Sequence, residues 1–137
     1  MADVDAPVLR LIDANVNRCR EGLRVIEDTA RFIFSDERLY KKLRGLRHDV
    51  DRVTRAAYPA LVAHRDAVAD TGRTLREGRR AHRGAVIAAN FRRVEESLRV
   101  LEEYGKIVSP AAGPRFKKIR YAVYTLEKTM MHREGTI

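Results

Sequence analysis

The amino-acid sequence predicts an all-α protein: an antiparallel four-helix bundle built from two helical hairpins related by a pseudo-twofold axis. The first observation is an internal repeat, because residues 12–28 and 87–103 align at a shift of 75 with nine of seventeen positions identical. These identities include Asn, Arg and Glu, which a shared helical period alone would not explain. The second observation is that only four Pro and eight Gly interrupt the 137 residues. Long helices in two similar units are therefore expected.

The first repeat unit, residues 9–58, predicts two helices. A helix is expected over residues 8–34, because its apolar residues recur at alternating spacings of four and three and form one stripe. This stripe comprises Ile12, Val16, Cys19, Leu23, Ile26, Ala30 and Ile33. Ser35 is the expected N-cap of the second helix, which ends near Tyr58-Pro59. The core positions of that helix are Leu39, Leu43, Leu46, Val50 and Val53.

A connector at about 59–83 and a second unit, 84–132, complete the single domain, 1–137. The third helix is expected from about Thr74, continuing with a kink near Gly84 into the second repeat copy. Its stripe is Ile87, Phe91, Val94, Leu98, Leu101, Gly105 and Val108. After a loop at 109–114, a fourth helix to about His132 buries Phe116, Ile119, Val123, Leu126 and Met130. The strings KKLR at 41–44 and KKIR at 117–120 extend the repeat into these helices at a shift of 76.

The composition indicates a soluble protein, for which we expect a cytoplasmic location. No apolar run approaches the roughly 18 residues that a membrane span needs, and the single Cys19 excludes an internal disulfide. The net charge of +9 invites a nucleic-acid hypothesis. Arg alternates with Glu at helical spacing through most of the chain, which makes nucleic acid an unlikely partner. The dense basic stretch 73–83 fits a phosphate-binding segment or a solvated connector equally well.

The polar residues of the repeat border the apolar stripes, and two interpretations of them stay open. In the structural interpretation, Asn15 and Asn90 bond across the pseudo-twofold axis or fix the helix register, and Arg and Glu form ion pairs three residues apart. In the functional interpretation, Asn15, Arg18, Asn90 and Arg93 converge on a central cavity. There Arg would hold phosphate, Asn would read a heterocycle, and two further carboxylates would hold Mg²⁺. The carboxylates are those of Glu27 and Glu102.

Standard catalytic and metal-binding motifs are missing from the sequence. It contains no GxxxxGK[ST] phosphate loop, no GxGxxG, no HExxH and no CxxC. The four histidines are scattered, and none has a second histidine or a cysteine three or four positions away.

Long strings of the sequence resemble one known family. LRLIDANVNRCREGLRVIEDTARFIFSD, LRGLRHDV, ADTG and ANFRRVEESLRVLEEYGKI, in this order, are similar to the helical domain often fused in front of thiamine-phosphate synthase. That domain is described as an alternative hydroxymethylpyrimidine-phosphate kinase of thiamine biosynthesis. The resemblance implies a phosphorylated pyrimidine as ligand, with ATP and Mg²⁺ as further requirements if the domain is a kinase. The sequence stops at residue 137 without a synthase barrel, so we expect either a free-standing version of the domain or a fragment of a longer protein.

The residues assigned to such a site fall into three groups. The catalytic candidates are Glu27, Asp49 and Asp70; the substrate-binding candidates are Asn15, Arg18, Asn90, Arg93 and Glu102; the phosphate-binding candidates are Gly72, Arg73 and Arg80. An all-helical bundle without a Gly-rich loop must supply phosphate contacts from side chains and helix N-termini. The alternative function is a non-catalytic module for dimerisation or for docking to thiamine-phosphate synthase. A homodimer is expected, because four amphipathic helices often leave apolar surface uncovered.

Overall fold

The protein is an all-α bundle of four long helices, as predicted. A computed structural model describes residues 4–137, and within this range there is no β-strand. The long helices are α1 (Ala6–Asp28), α2 (Glu37–Thr54), α4 (Arg83–Val108) and α5 (Ala112–Glu134), and α3 (Tyr58–Ala63) is a short helix after α2. No helix in the described part of the chain is long and apolar enough to cross a membrane.

Helix α1 follows the predicted stripe up to its last turn, where the helix changes type. Residues Thr29–Ile33 form a π-helical turn, closed by a hydrogen bond of 3.0 Å from the Phe34 N–H to the Thr29 carbonyl. A π-turn inserts an extra residue and rotates the residues after it about the helix axis. The prediction that Ile33 belongs to the core is therefore wrong: its side chain is 50% exposed. Phe34 packs against the core instead.

The N-cap of α2 is Asp36, and the prediction of Ser35 is wrong. The Asp36 carboxylate accepts a hydrogen bond of 3.0 Å from the Leu39 N–H, as an N-cap side chain should. Ser35 instead adopts a positive φ of 50°. It therefore makes the turn between the π-helical segment and α2, a conformation that costs a non-glycine residue some strain.

The connector differs from the prediction at both ends. After α2, a 3₁₀ turn at Arg55–Ala57 leads into α3, so that helical structure continues to Ala63. The third long helix begins at Arg83 and not near Thr74, with the His82 side chain as its N-cap acceptor. Residues 74–82 contain one large apolar residue, Leu75, whose side chain is 72% exposed. Nothing in this stretch can bury a helical face, so a helix there would lack the packing that stabilises helices in proteins.

All five helices contribute to the core, and α1 and α4 are in close contact within it. The two helices approach closely at Gly22, where an added Cβ would lie 2.7 Å from Val94 Cγ2 and 3.2 Å from the Asn90 carbonyl oxygen. On the other side of α4, Gly105 gives similar room to the ring of Phe116 on α5. The largest side chains fully buried along α1 and α4 are Leu23, Ile26, Ile87, Phe91, Leu98 and Leu101.

Helices α2 and α5 correspond at a shift of 73, not at the predicted shift of 76. Buried positions Leu39, Leu43 and Val50 of α2 match Ala112, Phe116 and Val123 of α5. Arg47 and Arg120, again 73 positions apart, each bind a glutamate of the preceding long helix, Glu27 and Glu102 respectively. The stretch from Glu27 to Arg47, which contains the π-turn, is two residues longer than the matching stretch from Glu102 to Arg120. The KKLR and KKIR strings therefore match as letters but not as positions.

Candidate functional site

A cavity of about 650 Å³ lies between α1 and α4, beside the connector. We call it the arginine chamber, because four guanidinium groups and a single carboxylate line it. Its lining residues are Asn15, Arg18, Arg80, Ala89, Asn90, Arg92, Arg93, Glu96, Ser97 and Val100. Four of the five residues proposed for substrate binding, and one proposed for phosphate, are therefore brought together.

A second cavity of about 700 Å³ adjoins the first and shares Asn15, Arg18 and Val100 with it. We call it the connector chamber, because residues 65–71 form one of its walls. Its charged lining residues are Arg10, Asp13, Arg18, Arg65, Asp66 and Asp70, three cations against three carboxylates. The two chambers form one groove with a strongly cationic part and an electrically balanced part.

Asn15 and Asn90 are held in place by their own helices. The Asn15 amide NH₂ donates to the Leu11 carbonyl at 2.9 Å, and the Asn90 NH₂ donates to the Val86 carbonyl at 2.8 Å. The hypothesis that these amides bond to each other across the bundle is therefore wrong. Each side chain keeps its carbonyl oxygen for another donor, and Asn15 Oδ1 accepts from Arg18 Nη1 at 3.4 Å.

The arginine chamber has positive charge that the surrounding protein does not neutralise. Arg93 Nη2 lies 3.6 Å from Glu21 Oε2. No ion pair within 4.0 Å joins Arg18, Arg80 or Arg92 to a carboxylate of residues 4–137. In contrast, Arg47 and Arg120 lie next to buried glutamates. Guanidinium groups gathered in one concavity, three of them without a carboxylate partner in the described part of the chain, are suited to bind phosphate oxygens.

Glu27 and Glu102 lie outside the groove, in ion pairs of the bundle. Glu27 is 1% exposed and accepts from Arg47 Nε at 2.8 Å and Nη2 at 3.2 Å. The hydrogen bond to Glu27 raises the pKa of Arg47. Glu102 accepts from Arg120 Nη2 at 2.8 Å. Burial acts to raise the pKa of Glu102, but the hydrogen bonds and charges of Arg120 and Arg99 outweigh burial and lower it.

The remaining predicted residues divide between the groove and the rest of the surface. Asp70 lines the connector chamber and accepts the Gly72 N–H at 2.8 Å. Gly72 and Arg73 are exposed in the connector and line neither chamber. Asp49 lines a separate cavity of about 400 Å³ between α2 and α5 and bonds to Arg52.

An ion pair that the sequence did not reveal fixes the connector. Arg65, just after α3, donates from Nε and Nη2 to the two carboxylate oxygens of Asp13, each at 2.7 Å. This bidentate contact raises the pKa of Arg65 and forms part of the connector chamber. The sequence could have indicated Asp13 as a candidate residue, because it lies beside the apolar stripe of α1. Nothing in the sequence indicated its partner Arg65, which is 52 residues away in a segment without periodicity.

The described residues do not form a resident metal site. Within residues 4–137, no three His, Cys, Asp or Glu side chains are grouped so that they could hold a metal ion. In the groove, Asp13 is engaged by Arg65 and Asp70 by the Gly72 N–H. A Mg²⁺ ion that enters on nucleotide phosphates needs few protein ligands, because it keeps several of its waters.

Comparisons with known proteins place the chain in a family. It is 43% identical over 131 residues to a thiamine-phosphate synthase of Nostoc punctiforme, covering 93% of this chain and 36% of that protein. It is 41% identical over 121 residues to a thiamine-phosphate synthase of Rhodopirellula baltica, covering 85% of this chain and 32% of that protein. The chain thus spans about a third of the length of these curated relatives. No solved structure matches it.

A family match gives the same result independently of these pairwise similarities. It covers residues 10–129, which include most of α1, all of α2 to α4, the connector and most of α5. The chain belongs to the ThiD2 family.

Proposed function

We propose that this protein acts in thiamine biosynthesis and that its groove binds a phosphorylated hydroxymethylpyrimidine. The observation that carries the proposal is the arginine chamber, with four guanidinium groups and one carboxylate in its lining. The names of the relatives, thiamine-phosphate synthase, support the pathway. The family resemblance described from the sequence supports the pyrimidine.

The chemistry of the groove fits both parts of such a ligand. Arg18 and Arg93 offer planar forks of N–H donors to phosphate oxygens. The Asn90 carbonyl oxygen and the second lone pair of Asn15 Oδ1, which already accepts from Arg18, can accept from an amino group on a heterocycle. Val100, shared by both chambers, offers an apolar contact to a ring. One ligand would thus meet cationic, amide and apolar groups within a single groove.

Phosphorylation of the bound compound is the catalytic part of the proposal. An oxygen of the substrate phosphate would attack the terminal phosphorus of ATP, the bond from that phosphorus to the bridging oxygen would break, and ADP and a pyrimidine diphosphate would result. Positioning and charge neutralisation account for most of the catalysis of such transfers. Of the three proposed catalytic carboxylates, Asp70 is the one that lines the groove.

A matched pair of variants tests ligand binding. Arg18→Met removes a guanidinium of the groove, whereas Arg44→Met removes an exposed one on α2 with the same change in net charge. Calorimetry with hydroxymethylpyrimidine phosphate should show at least about tenfold weaker binding for Arg18→Met and no change for Arg44→Met. Equal loss in both variants would reduce the effect to general charge attraction. Turnover with Mg-ATP tests the kinase step separately, and absence of both binding and turnover would remove the proposal.

The second candidate is a non-catalytic dimerisation or docking module, and exposed apolar side chains favour it. Val68 and Leu75 in the connector are 80% and 72% exposed. This hypothesis predicts that Asn15→Ala lowers the melting temperature without changing ligand affinity. It also predicts a dimer in sedimentation or light-scattering experiments. A monomer whose ligand affinity falls with Asn15→Ala would exclude this hypothesis in favour of the first one.

A further inference from the structure

The groove contains the same pair of side chains twice, once from each sequence-matched segment. On α1, Asn15 and Arg18 are three residues apart, and on α4 Asn90 and Arg93 have the same spacing. Both asparagines donate to the carbonyl four residues earlier in their own helix, at 2.9 and 2.8 Å. All four side chains line the arginine chamber. The chain therefore presents two copies of one small polar arrangement to a single cavity.

The glutamates beside these pairs match in sequence but differ in their contacts. Arg93 on α4 receives Glu21 from α1, with 3.6 Å between Nη2 and Oε2. At the shift of 75, Glu96 matches Glu21 and Arg18 matches Arg93, and both Glu96 and Arg18 line the arginine chamber. Arg93 thus has an ion-pair partner on the opposite helix, whereas Glu96 shares the arginine chamber with Arg18 without an ion pair within 4.0 Å among residues 4–137. A carboxylate placed in this way can orient a guanidinium without occupying all of its donors.

The contacts between α1 and α4 show that the Asn15–Arg18 and Asn90–Arg93 pairs lie at different places along the groove. The Cys19 thiol lies beside the Ser97 side chain, whereas Gly22, further along α1, lies against Val94. Helices α1 and α4 therefore run antiparallel along the groove. Asn15 lies before this contact region on α1, and Asn90 lies before it on α4, so the two amides lie towards opposite ends of the shared groove.

We propose that the groove contains two half-sites for phosphoryl groups, Asn15–Arg18 and Asn90–Arg93, and that it holds two anionic groups at once. The inference deepens the proposed function and rests on it for the identity of the ligands. Two half-sites suit a reaction in which a phosphate acceptor and a phosphate donor are bound together.

The surroundings of the two half-sites distinguish their ligands. Asn15–Arg18 belongs to both chambers and opens towards Asp66 and Asp70 of the connector. It therefore suits a phosphoryl group that carries a ring with amino donors. Asn90–Arg93 lies in the arginine chamber alone, together with Arg92. It suits a phosphoryl group that belongs to a longer anionic chain, because more guanidinium charge lies within reach.

Inorganic phosphate is the probe that tests the half-sites. The Nε–Hε signals of Arg18 and Arg93 in ¹H–¹⁵N NMR spectra, assigned by single Arg→Lys substitutions, should both shift when phosphate is added. Arg93→Met should leave the titration curve of Arg18 unchanged within about twofold in Kd, and Arg18→Met should do the same for Arg93. Arg44→Met is the control and should leave both curves unchanged. A response at one arginine only, or loss of both responses in either variant, would overturn the proposal in favour of a single shared site.

The outcome is separable from that of the proposed function. If both arginines respond to phosphate but hydroxymethylpyrimidine phosphate does not bind, the pyrimidine assignment fails and the half-sites remain. If hydroxymethylpyrimidine phosphate binds but only one arginine responds to any phosphate compound, the half-sites fail and the pyrimidine assignment remains.

Discussion

Glutamates 27 and 102 are identical in both sequence-matched segments, as are the asparagines of the groove, yet they serve different contacts. Glu27 lies in the interior with Arg47, and Glu102 with Arg120. The repetition of a residue type could not tell these cases apart, because a paired buried carboxylate and a ligand-binding one both border an apolar stripe. What makes Glu27 and Glu102 structural is their pairing with Arg47 and Arg120. These arginines lie on the next helix, and the sequence around each glutamate does not indicate them.

Replacing Glu27 with Ala should destabilise the protein by about 3 kcal/mol, because it leaves the charge of Arg47, only 16% exposed, without its partner. Glu103→Ala is the control: this glutamate is half exposed, and its loss should cost less than about 1 kcal/mol. Urea denaturation measures both values. Equal stability of the two variants would contradict the structural role, and loss of turnover at unchanged stability would support the catalytic role assigned from the sequence.

Glu95 should make the protein less stable as the pH rises. Burial and the neighbouring carboxylate of Glu127 raise the pKa of Glu95 from 4.5 to about 8, and Glu95 Oε2 is buried without a hydrogen-bond partner among the described residues. The folded protein therefore holds a proton that the unfolded chain releases at lower pH. This favours folding at acidic pH and is lost progressively between pH 4.5 and about 8.

The variant Glu95→Gln tests this dependence, because glutamine resembles the protonated carboxyl. It should match the wild-type melting temperature below pH 4.5 and exceed it by several degrees above about pH 8. Glu77→Gln, exposed in the connector, should follow the wild type throughout. If the melting temperature of Glu95→Gln falls with rising pH as that of the wild type does, the raised pKa of Glu95 is not the cause of the pH dependence.

Helices were predictable in existence and type, whereas their ends were not. Apolar periodicity indicated α1, α2, α4 and α5, since each buries one face. The π-turn at Thr29–Ile33 leaves no mark on this pattern, yet it decides which residue caps α2 and which end residues are buried. The start of α4 was misplaced, although arginine, a good helix former, occupies five of the eleven positions 73–83. Without apolar partners, helix propensity alone did not produce a helix there.

The close approach of α1 and α4 predicts opposite effects of the same substitution at two glycines. Gly22→Ala should destabilise the protein by about 1–3 kcal/mol, because its Cβ would lie 2.7 Å from Val94 Cγ2 and 3.2 Å from a backbone oxygen. A Cβ added at Gly45 on α2 would have no atom within 4 Å. Gly45→Ala should therefore stabilise the protein by about 0.5–1 kcal/mol, since alanine favours the helix. Thermal denaturation of both variants checks this, and two shifts of the same sign would contradict the packing.

At the scale of the whole molecule, the lining residues of the groove that belong to the internal repeat could be predicted from the sequence. Asn15, Arg18, Asn90 and Arg93 were assigned to a common cavity, and they line one. Their roles towards a ligand stay predictions. The contributions of Asp13 and Arg65 to the connector chamber were not foreseen, because residues 64–82 have no periodicity from which a fold-back could be read. A charge of +9 indicated an anionic partner but could not show that arginines gather between two particular helices.

The exposed connector has a consequence for how the protein could be made. Residues 64–82 contribute no buried side chain, and the core is formed by helices on either side of them. The polypeptide should therefore tolerate a cut there: fragments ending at Gly72 and starting at Arg73, produced from separate genes, would reassemble through the apolar faces of α1 and α4. Such a split protein would report on assembly, because its two parts together complete the groove between α1 and α4.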